Sequence, residues 1–410
     1  MKIAIIGGGA SGMMASARAK ELCPSCEVYL IERNPGLGSK VLLTGGGRCN
    51  LTTGFSDLRL IAERYPRGGK FILSALHAFP PESIINWFEG HGITLKVEED
   101  LRVFPASNNG QDIVKVFEEL FKENGTKVLL KHQVDKIEKF KKGFKIFFHE
   151  ETPLIVDKLI LTTGGQAYRT TGSNGDGYAF AETLGHSITK LAPSLNSFVV
   201  KELWPKTLAG LSLKKVHFKA KRDTTWQFTG PMLFTHHGLT GPAIFAMSSM
   251  VAFEEYSPKN PLELVLDFLP DTAQNIIETE IKKEMDVSPQ KFFRNTLSTF
   301  APKSLAEALC KNLEIPEEKR NADLAKNDFF KIVEALKHTK LTIIGRGPSD
   351  EFVTAGGIDT DEVNQKTMES KICSGLYFAG ELLNIDGFTG GFNLTSAWAT
   401  GRIAGENAVI

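Results

Sequence analysis

Lys2-Ile-Ala-Ile-Ile6, Gly7-Gly-Gly-Ala-Ser-Gly12 and, one helix later, Val28-Tyr-Leu-Ile-Glu32 open this chain. An apolar strand feeds a GxGxxG turn (Gly7, Gly9, Gly12), a helix follows, and an acid stands about 20 residues on, the arrangement of a dinucleotide-binding βαβ unit. Gly7 permits the tight turn, Gly9 lets backbone approach a pyrophosphate, and Gly12 lets helix and strand pack closely. The helix start at Ala10 and Ser11 offers N–H groups and partial positive charge to phosphates. Glu32 ends the second strand, where its carboxylate can accept from ribose hydroxyls and repel a 2′-phosphate.

Composition bounds the rest of the reading. Basic and acidic residues number 48 each, so no global field favours nucleic acid or an anionic membrane. With 42% hydrophobic and 23% charged residues in 410, the chain reads as soluble and globular, with two or three domains. No apolar run approaches the roughly 18 residues that span a bilayer. A cytoplasmic location is expected. Five scattered cysteines argue against a disulfide framework. Cys23-Pro-Ser-Cys26 has the spacing of a redox pair or half a zinc site, but lies in a short helix-to-strand connection and reads as an ordinary loop. The histidines show no metal-ligand spacing, so no metal site is expected.

Residues 1–193 carry the nucleotide-binding pattern, with helical spacing at Pro81–Gly90 and Gln111–Asn124 and strands at Lys127–Leu130, Gly143–Phe148 and Asp157–Thr162. From 194 to 270 short strand-like runs (Ser197–Val200, Val216–Ala220, Leu262–Phe268) suggest a small β-domain, to which 341–346 returns. Residues 271–340 are charged and helical. Glycine-rich sequence resumes over 347–410. The sequence predicts an α/β fold: a Rossmann-like domain interrupted by a β-barrel-like domain and a small helical domain.

Three further stretches turn a dinucleotide site into a flavin site. Thr162-Thr-Gly-Gly165 follows a buried strand and resembles the second signature of FAD proteins of the glutathione-reductase type, which implies that Thr163 and Gly164 pass close to the cofactor; the bland reading is a simple turn. Gly375-Leu-Tyr-Phe-Ala-Gly-Glu381 ends a strand at Gly380-Glu381, and Asp386 follows in a loop; the resemblance to such FAD folds implies that this carboxylate bonds the ribityl chain. Gly390-Gly-Phe-Asn-Leu394 then opens a helix: Gly391 and Phe392 lead into Asn393 and Leu394, whose N–H groups can face the flavin N1–C2=O edge and favour negative charge there. The third stretch, Lys40 with Thr44-Gly-Gly-Gly-Arg-Cys-Asn50, fits backbone at Gly45 and Gly46 wrapping a pyrophosphate and ring, with Lys40 and Arg48 balancing phosphate charge.

Taken with Arg102-Val-Phe-Pro105, Thr171-Gly-Ser-Asn-Gly-Asp-Gly-Tyr178, Leu233-Phe-Thr-His-His-Gly-Leu-Thr-Gly-Pro242, Val353-Thr-Ala-Gly-Gly357 and Thr367-Met-Glu-Ser-Lys371, these motifs resemble the bacterial HI0933-like, or aminoacetone-oxidase-like, NAD(P)/FAD-dependent flavoproteins over essentially the whole chain. The resemblance implies FAD contacts at Glu32, Arg33, Lys40, Thr44, Arg48, Asn50, Val134, Glu381, Asp386, Asn393 and Leu394, with Val134 beside the adenine through its backbone.

The expected activity is FAD-dependent oxidoreduction of a small organic substrate, an amine or an enone, with NAD(P)H or dioxygen as second partner. The flavin carries the redox step. No second dinucleotide motif is present, so a nicotinamide would dock transiently. His236 is a candidate base and Cys49 a candidate redox thiol, each outweighed by a packing role. Two alternatives stand beside this reading: a tRNA-modifying flavoprotein, against which the balanced charge counts, and a non-catalytic flavin or NAD sensor.

Overall fold

Strand β1 (Lys2–Ile6) is apolar on both faces, as a central parallel strand requires, and its last four residues are buried. The structure is a computed structural model, which describes residues 1–347 and 352–410. Helix α1 (Ala10–Leu22) and β2 (Glu27–Glu32) complete the first βαβ unit. Helix α2 (Gln111–Asn124) buries Ile113, Val114, Phe117 and Phe121, and stops at Gly125, whose φ of 75° is the left-handed conformation glycine adopts most easily. It leads into β3 (Lys127–Leu130). An antiparallel meander (Val134–Phe140, Gly143–Phe148, Leu154–Val156) precedes β4 (Lys158–Leu161) and α3 (Asp176–Thr183).

The reading of Cys23–Cys26 as an ordinary loop needs correction: the two cysteines form a disulfide. The cause is local. Helix α1 ends at Cys23, and Lys20 Nζ donates to the carbonyls of Pro24 and Cys26 at 2.7 and 2.9 Å. The turn so held brings the two Cα atoms to 5.3 Å, within bridging range.

Next come β5 (Phe198–Val200), β6 (Ser212–Lys221), β7 (Thr225–Phe234), β8 (Gly238–Thr240), α4 (Pro242–Met250), β9 (Leu262–Asp267), α5 (Gln274–Val287), α6 (Lys303–Asn312), α7 (Lys326–His338) and β10 (Thr339–Arg346). The strands close an antiparallel barrel in the order β5-β8-β7-β6-β9-β10. Period-two alternation turns Val216, Phe218 and Ala220 inward and Lys219 and Lys221 outward. Helices α5 to α7 do not build a core of their own. Ile277, Ile281, Leu305, Leu309, Ile332 and Leu336 belong to the same hydrophobic cluster as the barrel's Leu264, Leu266, Leu341 and Ile343.

The chain then supplies β11 (Val353–Ala355), β12 (Leu376–Phe378) and α8 (Phe392–Asn407). Strand β12 pairs with β4, giving a five-stranded parallel sheet ordered β12-β4-β1-β2-β3. Helix α8 lies on α1 through small residues: a Cβ on Gly405 would stand 2.2 Å from the Ala15 carbonyl oxygen. Trp398 Nε1 donates to Leu51 O at 3.0 Å, and the Thr52 and Thr395 hydroxyls are bonded at 2.8 Å. By contacts the chain divides into Met1–Ser194 with Glu351–Ile410, and Leu195–Asp350.

Candidate cofactor site

All the predicted cofactor residues belong to the first unit, and at the C-terminal ends of its parallel strands the glycines do what the spacing requires. Gly7 has φ 108°, and a Cβ there would lie 2.5 Å from Thr162 O. A Cβ on Gly12 would lie 1.9 Å from Gly7 O, whereas one on Gly9 would meet nothing within 4 Å. Turn and helix packing thus need Gly7 and Gly12, while Gly9 leaves open space over the start of α1. The first-turn N–H groups at Ala10, Ser11 and Gly12 have no acceptor inside the helix and face that space.

Glu32 orders this turn. Its Oε2 accepts from Gly8 N–H at 2.7 Å and its Oε1 from Asn34 N–H at 2.8 Å. Each oxygen keeps a lone pair for a further donor. Arg33 pairs with Asp176 at 2.6 Å and donates to Gly172 O at 3.2 Å, pinning the Thr171–Tyr178 segment beside β2. Val134 starts its strand, buried.

In the Thr44–Asn50 loop, Gly45, Gly46 and Gly47 all have positive φ, as does Cys49 at 61°. A Cβ on Gly46 would touch nothing within 4 Å. Thr44 Oγ1 donates to Val41 O at 2.8 Å. Arg48 pairs with Glu98 at 2.7 Å and stacks on Phe104 at 3.9 Å, so its guanidinium braces the loop. Cys49 is fully buried, and that burial pushes its thiol up to about 12; a thiolate is not available there.

The tail completes the cradle. Lys40 Nζ meets Glu381 Oε2 at 2.5 Å, and Glu381 Oε1 accepts from Thr354 N–H at 2.9 Å. Thr354 Oγ1 in turn accepts from the N–H groups of Gln166 and Ala167, at 2.7 and 3.1 Å, fastening the turn beyond Thr163 and Gly164. Gly164 and Gly380 have φ of 73° and 76°. Asp386 is fully buried, paired with Arg67 and accepting from Ser194 Oγ at 3.0 Å. Gly391, with φ 91°, packs its Cα side on Thr52 O and caps α8. The Asn393 side chain bonds both the N–H and the carbonyl of Gly387 at 2.8 Å, which leaves the first-turn N–H groups of Phe392, Asn393 and Leu394 at the mouth of the helix.

These residues fit FAD. Open backbone at Gly9 and Gly46, two helix N-termini and the Glu32 carboxylate suit a pyrophosphate, a ring and a ribose. The buried Asn50 Oδ1 and Thr163 Oγ1 have no hydrogen-bond partner among the described residues, and such groups normally have one. Motif reading does not find Arg67 and Ser194, which nothing local marks, or Thr354, whose Val353-Thr-Ala-Gly-Gly357 run carries no chemical signature of its own. His236 is exposed in the β7–β8 hairpin of the second unit.

The family model of the HI0933-like protein Rossmann domain matches residues 1–407. The chain is 31% identical to a 3-dehydro-bile acid delta(4,6)-reductase of Clostridium scindens, covering 99% of this chain and 98% of that protein. It is 30% identical to a ribosomal RNA dihydrouridine synthase of Haemophilus influenzae, over 97% of this chain and 95% of the relative. Among solved structures, the 3-ketosteroid-delta4-(5alpha)-dehydrogenase of Rhodococcus jostii RHA1 shares the fold at a TM-score of 0.53 and 13% identity, over 100% of this chain and 96% of the other. No helix among the described residues is long and apolar enough to cross a membrane. The chain belongs to the HI0933-like family and is an FAD-dependent oxidoreductase.

Proposed function

We propose that the protein reduces a carbon–carbon double bond conjugated to a carbonyl, drawing electrons from a reduced nicotinamide that docks transiently. One observation carries the substrate class. The bile-acid relative is named for removing unsaturation conjugated to a 3-oxo group, the ribosomal RNA relatives for saturating a uracil; different substrates, one electron-poor C=C beside a C=O. An amine substrate finds no such support.

FAD, when bound, supplies the two-electron chemistry this reduction needs. The chain's own residues bind and orient it. Glu32 and the Gly7–Gly12 turn would hold the ribose and pyrophosphate; Asn50 and Thr163 offer buried polar atoms to the ring half. The N–H groups opening α8 would favour negative charge at the ring's N1–C2=O edge. Lys40 holds the Glu381 carboxylate in place and Arg67 holds that of Asp386 through charge-assisted hydrogen bonds.

Anaerobic titration tests the proposal. NADH or NADPH should bleach the bound flavin, and a 3-oxo-4-ene steroid should restore its colour while the saturated 3-ketone does not. Reoxidation by dioxygen alone, with no conjugated acceptor effective, would overturn it. A uridine within RNA is a second reading, favoured by the exposed Lys214, Lys215, Lys219 and Lys221 on β6. It requires salt-sensitive RNA binding and reoxidation by an rRNA fragment.

A further inference from the structure

Tyr178 follows Gly177 in the first turn of α3, and this turn sits hard against the end of β4 and the tail. A Cβ on Gly177 would stand 1.9 Å from Thr163 Oγ1 and 2.9 Å from Leu382 Cδ1. Only glycine tolerates that approach, and it commits the neighbouring tyrosine to the interior: Tyr178 is 4% exposed. Its hydroxyl is buried with no hydrogen-bond partner among the described residues. Buried phenols ordinarily have one, because the ring pays into packing while the O–H must still be satisfied.

The surroundings say what that partner is. Burial raises the phenol's pKa, and the carboxylates of Glu381 and Asp386 raise it further, so the hydroxyl keeps its proton and sits in the field of both acids. It bonds neither. Glu381 is engaged by Lys40 and Thr354, and Asp386 by Arg67 and Ser194. The donor therefore belongs to an acceptor outside the protein. Thr163 Oγ1, on which the Gly177 turn rests, is orphaned in the same way, and it lies where the cofactor is expected.

We propose that Tyr178 Oη donates a hydrogen bond to the ribityl–isoalloxazine half of bound FAD, an inference that rests on the flavin reading above. A phenol in contact with the ring quenches the flavin's excited state by giving it an electron; phenylalanine, far harder to oxidise, does not. The holoprotein and its Tyr178→Phe variant are compared by flavin fluorescence lifetime, and FAD dissociation constants are measured on the reconstituted apoproteins. The expected result is a lifetime several times longer in the variant and FAD binding weaker by about fivefold, the loss of one neutral hydrogen bond. Equal lifetimes and equal dissociation constants overturn the assignment of Tyr178 while leaving the flavin reading intact. A wild-type protein that takes up no FAD overturns that reading itself. Should the variant precipitate, 3-fluorotyrosine in the otherwise native chain gives a second readout. The 19F resonance of residue 178 should move on adding FAD, and a resonance that stays put overturns the proposal.

Discussion

Gly401 rests on the backbone of Ser11: a Cβ on Gly401 would stand 2.3 Å from the Ser11 carbonyl oxygen. Ser11 lies in the first turn of α1 and Gly401 in the middle of α8, separated by 390 positions and by the whole second unit. Two helices whose N-termini are proposed to face one cofactor are thus locked together by backbone contact that a side chain would break. Replacing Gly401 by Val should force the helices apart, at about 1–3 kcal/mol for overpacking. A lower thermal midpoint with weaker FAD retention is expected; unchanged melting and binding would mean that the two helices do not share load.

Lys40 and Glu381 join head to tail by charge rather than by packing. Their side chains are 22% and 16% exposed, sheltered enough that an unpaired carboxylate is costly. Lys40→Met should weaken FAD binding by about 1–3 kcal/mol, the penalty for stranding Glu381. Adding Glu381→Gln should recover part of the loss. Binding constants for the four proteins of the cycle decide it; strict additivity would show that the pair is not coupled.

Glu32 does two things at once, since it bonds Gly8 and Asn34 through separate oxygens. Glu32→Gln keeps an acceptor for one of them, while Glu32→Ala removes both. Alanine should weaken FAD more than glutamine does, by at least the about 1.5–3 kcal/mol of a charge-assisted bond. If both variants bind FAD equally, the carboxylate has no part in shaping the turn.

Much of this arrangement is legible in the one-dimensional pattern, and the remainder fails for identifiable reasons. Helices Pro81–Gly90 and Gln111–Asn124 begin and end where expected because proline and glycine punctuate them and their apolar stripes are regular. Strand β7 escaped notice because Gly230 and Pro231 interrupt Thr225–Phe234 with residues that usually mark turns; its pairing comes from barrel closure, which is not local. Helix α4 is buried and apolar with no polar face, so periodicity has nothing to report. At the site, GxGxxG and the Gly-Gly-Phe-Asn-Leu run mark close backbone approaches at Gly7, Gly12 and Gly391, which glycine spacing records. Lys40 and Arg48, expected beside phosphates, meet Glu381 and Glu98 as well. Which carboxylate a cation meets depends on how distant segments dock. The same holds for Arg67 and Asp386, 319 residues apart.

Thiol counting tests the corrected cysteine assignment. Cys49 and Cys310 are buried and Cys373 is partly exposed, while Cys23 and Cys26 are bonded to each other. The folded, unreduced protein should react at Cys373 alone. Denaturation without reductant should release three thiols, and denaturation with reductant five. Five thiols without reductant would show that the bridge does not form. Fast reaction at Cys49 in the folded state would contradict a thiol pushed up to about 12.

His186 should make the first unit sensitive to acid. Its ring is buried between Phe378, 4.6 Å away edge-on, the Ser370 hydroxyl, 2.7 Å from Nε2, and Glu362, 3.1 Å from Nδ1. Burial lowers its pKa below the ordinary 6.5, and the Glu362 charge offsets this only in part. The unfolded chain therefore binds the proton more readily than the native one, so stability rises with pH across the window below 6.5 and is lost as the pH falls through it. Glu362 adds a second loss at lower pH: burial pushes its carboxyl up, but bonds from Ser187 and His186 outweigh this and hold it below its ordinary 4.5. Its contribution is complete above 4.5 and disappears below. Thermal midpoints of the wild type should fall between pH 7 and pH 5. His186→Gln, which keeps an acceptor for Ser370 and cannot take a proton, should flatten that interval and retain the drop below it. Parallel profiles for the two proteins would show that this histidine is not the group being protonated.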